Sequence, residues 1–348
     1  MYTLKEILDK NTWDNFVVDA NLEFYSFLQS WEWWEFQELA CKKIVRYWIY
    51  SDETLTWVFL LIKVHAKRWN YYFIPHGPLI KWDFFEVFTE ILEDLILMAN
   101  LDDMSFIRIN STLTNTKNNN AHFKKLNFSN APMHEHAEDT HLLNLEINES
   151  ELLTNIKKKD RYYINRAIKE GVVIRVDNEI DHIEKLIEMH HNHSHRTNWK
   201  KTYAPFSEHF IKSLYKVFWN NISTISASFE WNIESILMTI KFWKTCVYYI
   251  AASDTKHPKF SPNYLCQWEA IKKAKKDWCT LYNFWWVSPD DNPKHPIAWV
   301  TKFKRKFSWY DYSLLHAQDL VLSPKYYISW IIETFRRIRR WYYYKKPE

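Results

Sequence analysis

Apolar and polar positions alternate with a period near two over 43–50, 56–63 and 71–75. They do so again over 222–230, 233–242 and 245–252, which read as a three-strand meander with two tight turns. Shorter, nearly continuous apolar runs at 104–110, 141–145, 281–284 and 318–322 read as buried strands. Helical spacing predicts helices over 31–38, 83–99, 157–171, 179–197, 205–218, 261–277 and 325–341, and a short amphipathic one ending in Lys302, Lys304, Arg305 and Lys306. Ser30 is placed to cap the helix at 31, Ser150 the helix that follows it, and Gly171 to stop the helix before it as a C′ residue. Residues 1–10 read as a short helix, 24–30 as an extended entry, and the Asn-rich 111–121 as a surface loop.

Composition changes this picture in one respect. The 348 residues include 2 Gly and 20 Trp, where ordinary usage of about 7% gives roughly 24 Gly. Several Trp stand where turn chemistry asks for Gly, as in Glu230-Trp231-Asn232, Phe242-Trp243-Lys244 and Asp277-Trp278-Cys279. Gly serves such places because it tolerates positive φ, which a bulky aromatic does not. The expectation is that many of these Trp are Gly codons translated as Trp, while Trp31, Trp33, Trp268 and Trp285 are genuine.

Net charge is +4, too mild to mark a nucleic-acid binder, but the basic residues cluster at 157–166, 302–306 and 336–346. A solvated helix face accounts for each run as well as a ligand does. The C-terminal run, Arg336, Arg337, Arg339 and Arg340 with Tyr342–Tyr344, Lys345 and Lys346, suits RNA phosphate or an anionic membrane surface. Four cysteines form no paired framework, and no apolar run is long enough to span a bilayer, so a cytoplasmic chain is expected, at most peripheral at the membrane. His190, His191, His193 and His195 invite a metal reading, but no carboxylate or Cys partner has convincing spacing.

The stretch 280–310 holds the most pointed chemistry. A strand ends in an aromatic turn, then come Ser288, Pro289, Asp290 and Asp291, and then Phe303, Lys304, Arg305, Lys306 and Phe307. A strand delivering a loop and a cationic helix can hold an anion or an oxyanion. This stretch resembles the FemABX peptidyltransferases, with Trp286 and Trp309 standing where that family has Gly. Two more segments carry the likeness: the string 27–38 (FLQSWEWWEFQE), with Trp34 at a Gly position, and 157–174 (KKKDRYYINRAIKEGVVI). Gly77-Pro78 also matches the family's turn after a strand. A lysine of the family near Glu35, able to touch the nucleotide, is missing.

The resemblance implies an α/β fold of two tandem acetyltransferase-like (GNAT-type) domains. These are 1–145 completed by the C-terminal helix of 321–348, and 146–320, in a compact form without a coiled-coil arm. It further implies transfer of an amino acid from aminoacyl-tRNA to an amine on the stem peptide of a nucleotide-linked (UDP-MurNAc-pentapeptide) or lipid-linked (lipid II) precursor. A monomer is expected, with no cofactor and no metal. Lys304 is expected to hold the oxyanion, Phe303 to shape the pocket, and Asp290 or Asp291 to help take the amine's proton. Substrate contacts are expected from Asn110, Arg108, Lys158, Arg161, Tyr264 and Arg305. An acyl-CoA N-acyltransferase would share the fold, but no Arg-x-x-Gly-x-Gly/Ala loop is visible, even with suspect Trp read as Gly. A non-catalytic RNA- or envelope-binding protein would keep the basic faces and dispense with Lys304.

Overall fold

The computed structural model describes residues 2–6, 9–19, 25–40, 43–51, 54–66, 69–79, 84–196, 206–254, 260–307, 309–340 and 342–347. The chain forms two compact units, residues 1–138 with 313–348, and residues 139–312.

The first unit is built on a sheet whose strands run β1 (Tyr2–Glu6), β2 (Lys43–Ser51), β3 (Thr54–His65), β4 (Asn70–Pro75), β5 (Phe106–Asn110), β14 (Gln318–Val321) and β6 (Phe128–Asn130) in spatial order. All neighbours are antiparallel except β4 and β5, which the helix α3 (Phe84–Leu101) connects as a parallel pair. Side chains alternate across β5. Ile107 and Ile109 join Val87, Phe88, Ile91 and Leu95 of α3 in one core, while Phe106 and Arg108 turn to the other face, against Tyr326 and Glu333 of α11 (Tyr326–Arg340). Residues 1–10 hold β1 and then the start of α1 (Lys10–Asp19) instead of a single helix. The loop expected at 111–121 gives way to α4 (Lys117–Lys125), capped by Thr116. Ser30 caps α2 (Trp31–Leu39) as expected, its hydroxyl accepting from the Trp33 N–H at 3.1 Å.

The second unit carries a sheet in the order β13 (Tyr310–Ser313), β7 (Asp139–Asn144), β12 (Leu281–Trp286), β11 (Thr245–Ser253), β10 (Asn232–Phe242), β9 (Ile222–Phe229) and β8 (Val173–Asp177). The helix α9 (Pro262–Lys276) packs on it with α6 (Lys158–Lys169) beside it, and Leu265, Ile271, Tyr282 and Phe284 lie in their shared core. Because β7 pairs with β12, the first unit closes at 138 and not at 145; because β14 pairs with β5, it resumes at 313. Asn148, not Ser150, caps α5 (Glu149–Asn155).

Among the described residues, four tryptophans adopt left-handed backbone: Trp231 (φ 69°), Trp243 (51°), Trp278 (63°) and Trp285 (59°). Trp231 and Trp243 turn the two hairpins of the meander. The helix ends at Gly171 and Trp278 are built alike. In each, the C′ N–H bonds three residues back and the next N–H five residues back, at 3.0–3.1 Å. Gly171 takes that place at φ 85° without steric cost, whereas a tryptophan in it bears about 1–2 kcal/mol. In β12 the left-handed position is 285, one residue before the expected 286. Trp286 is an ordinary strand residue opposite Thr140, and Trp34 is helical.

Trp231 and Trp278 are almost fully exposed, 101% and 88%, and so give up no packing. Trp231→Gly and Trp278→Gly are therefore expected to stabilise the protein by about 1 kcal/mol each in urea unfolding. Unchanged midpoints would remove the strain argument. The intact mass of protein isolated from its own cells decides whether glycine stands there naturally.

Candidate active site around Lys304

β11 and β12 pair in parallel only from Thr245–Leu281 to Val247–Asn283, and then part. Two local devices drive the parting. The Asn283 side-chain oxygen accepts the Trp285 N–H at 2.8 Å, which winds the chain into its left-handed turn and shifts the register against β7. On the other side, the register of β10 and β11 slips at Met238/Thr239.

Beyond β12 the loop of Ser288, Asp290 and Asp291 is pinned to α10 (Ala298–Lys304). The Ser288 N–H donates to the Thr301 hydroxyl at 2.7 Å, and the Ser288 hydroxyl donates to the Asp290 carbonyl at 2.7 Å. This pinning aims the last residue of α10 inward. Lys304 is 6% exposed, its Nζ donates to the Trp286 carbonyl at 2.7 Å and lies 5.4 Å from the centre of the Tyr248 ring. Tyr248 follows directly on the last paired residue of β11, so the amine sits where the two strands separate.

No carboxylate among the described residues pairs with Lys304. Burial alone pulls its amine from the usual 10.5 down to about 7. Phe303 packs edge-on against Tyr264 and Phe307, walling the same region. Tyr264, near the start of α9, accepts a hydrogen bond from Lys306 Nζ, which also lies 3.6 Å from the buried Asp160. Lys306 and Tyr248 were not singled out in the sequence. Lys306 stood within the quoted basic cluster, and nothing marked Tyr248.

Other candidates have different duties. Arg305 is taken up by Asp311 (3.2 and 2.5 Å) and Asp291 (2.5 Å). Asp291 is 90% exposed and Asp290 is exposed, so neither is a base poised beside Lys304. Arg161 donates to the carbonyls of Leu153, Thr154 and Ile156, closing the end of α5. Lys158 is exposed at the start of α6.

Two candidates lie in the first unit. Arg108, expected to bind substrate, is 1% exposed and spent on Asp319 (2.7 and 2.8 Å) and Glu333 (3.2 and 2.8 Å). It is a structural ion pair. Asn110 is fully buried, with its amide 3.5 Å from Glu138. Glu138 also accepts from the Ala317 N–H at 2.8 Å, and His316 and His134 lie 2.7 and 3.2 Å from its other oxygen. Those imidazoles hold its carboxyl well below the usual range against the opposing effect of burial. Of the histidines at 190–195, His190 accepts from the Phe206 N–H and His191 lies 3.1 Å from the Phe206 carbonyl; the side chains of His193 and His195 lie outside the described residues.

The FemAB family model matches residues 226–327, the segment that contains most of the meander, α9, the parting strands and Lys304. That match makes this segment of the chain similar to the FemAB family. Among solved structures, one titled as FemX superposes with a TM-score of 0.79 at 14% identity, covering 94% of this chain and 100% of that one. A tandem GNAT protein from the clavulanic acid biosynthesis pathway gives 0.59 at 8% identity, covering 93% and 99%. L-PGS from Bacillus licheniformis gives 0.57 at 13%, covering 94% and 96%. No curated protein sequence matches this chain. These likenesses establish a tandem GNAT-type fold for this chain. No helix among the described residues is long and apolar enough to cross a membrane.

Proposed function

We propose that this protein is a transferase that moves an aminoacyl group from aminoacyl-tRNA to an amine on the stem peptide of a peptidoglycan precursor. The match of residues 226–327 to the FemAB family model supports the reaction class. The observation that carries the mechanism is Lys304: a buried amine with no counter-ion among the described residues, at the parting of β11 and β12.

The acceptor amine attacks the ester carbonyl, its lone pair forming the C–N bond as the carbonyl π pair moves onto oxygen. The Lys304 ammonium donates to that oxyanion. Collapse re-forms the carbonyl and breaks the C–O bond, and the leaving ribose oxygen takes up the proton that the amine gives away. The exposed Asp290 and the ion-paired Asp291 are not needed in this sequence of events.

An ammonium already neutralised by a carboxylate would gain little from a new negative charge. One held in a dry site without a partner gains most when the charge appears, which is in the transition state.

The test is transfer from charged tRNAs to nucleotide-linked and lipid-linked pentapeptides, run beside an acetyl-CoA arm. Amide product from the tRNA arm supports the proposal. Turnover of acetyl-CoA alone, or of neither donor with any acceptor, would sink it.

A further inference from the structure

The helix α11 packs on the first unit through Tyr326, Ser329 and the Glu333 carboxylate that meets Arg108. Its opposite side is apolar and bare. Tyr327, Ile328, Ile331, Phe335 and Ile338 are between 52% and 67% exposed. At about 100° per residue, these five fall within an arc of roughly 100°. A helix facing water carries polar residues there, and single exposed apolar side chains are ordinary, but a continuous stripe is not. Arg339 borders the stripe and Arg336 lies further round the helix, both exposed, and Arg340, Lys345 and Lys346 follow. The one acid between 326 and 347 is Glu333, already spent on Arg108.

We infer that α11 seats on the surface of an anionic phospholipid bilayer, its apolar stripe below the headgroups and its Arg and Lys side chains on the phosphates. The combination favours that occupant over two others. RNA phosphate would satisfy the arginines and leave five apolar side chains in water. A second copy packed stripe to stripe would bring two uncompensated basic clusters together. A bilayer with anionic lipid accepts both halves of the surface at once. Joined to the proposed transfer, this seating selects a lipid-linked acceptor. That consequence rests on the proposed function, whereas the seating itself does not.

The test is vesicle flotation of the full chain, with phosphatidylcholine alone and with about one third phosphatidylglycerol added. Binding is expected only to the second, weakening as salt rises. Ile331→Glu/Phe335→Glu/Ile338→Glu should cut it at least about a hundredfold with melting little changed, since these side chains are 61–67% exposed. Arg336→Ala/Arg339→Ala should weaken it and flatten the salt dependence. No flotation by the wild type would overturn the inference, as would a triple-Glu variant that floats normally. So would a dimer that the triple-Glu change dissolves while vesicles go unbound. Because no tRNA or acceptor enters the assay, its failure and a failure of the transfer reaction are told apart.

Discussion

Lys304→Met is expected to melt higher than the wild type at neutral pH. Burial brings the amine from 10.5 down to about 7, and each unit of such displacement corresponds to about 1.4 kcal/mol. The Met variant forfeits the hydrogen bond to the Trp286 carbonyl, worth about 1 kcal/mol. The net gain should be about 2–4 kcal/mol, with melting rising about 2–4 °C for each kcal/mol in a domain of this size.

The sign with pH follows from proton counting. Between about 7 and 10.5 the unfolded lysine is protonated and the folded one is not, so wild-type stability climbs with pH across that window. The advantage of Met should be full below pH 7 and shrink toward 10.5. Melting curves at several pH values check this, and an advantage that stays constant with pH would mean that Lys304 does not titrate there.

Arg108→Ala has the opposite effect, and a larger one. Its guanidinium is enclosed by Asp319 and Glu333, whose side chains are 0% and 13% exposed. Removing it leaves two buried carboxyls without a cation, and breaking a buried pair in this way costs about 3–5 kcal/mol. Tyr326 also donates to Asp319 at 3.0 Å, so the seat of α11 loosens with the pair. Urea unfolding should show the loss directly. A substrate-binding Arg108 would instead give normal stability with a raised KM, the result that would reverse the structural assignment.

The contrast between Lys304 and Arg108 shows where the sequence was legible. Periodicity located the meander at 222–252, the amphipathic helices and the stop at Gly171, because each follows from contacts a few residues apart. It missed β1, five residues with weak alternation that gain strand character only by pairing with β2. The Lys304 segment was legible because its residues are contiguous and carry a family pattern.

The duties of the basic residues were not. Arg108 meets Asp319 across 211 positions, and Arg305 meets Asp311 only after a turn of chain. Spacing gives no hint of which carboxylates will neutralise a given cation. Nor did it say that Lys304 alone of the catalytic and substrate-binding candidates is a buried cation without a counter-ion, since that depends on a loop pinned through Ser288 and Thr301. The turn at Trp285 was displaced by one residue for a similar reason. The bulge depends on the Asn283 side chain, which a pattern of apolar positions does not record.

The most direct measurement is single-turnover transfer from a charged tRNA by wild type and Lys304→Met, at saturating acceptor and neutral pH. An ammonium that acts only on the oxyanion predicts a fall of about 10²–10³ in the transfer rate with acceptor affinity nearly unchanged. An undiminished rate in a folded Lys304→Met protein would contradict the account.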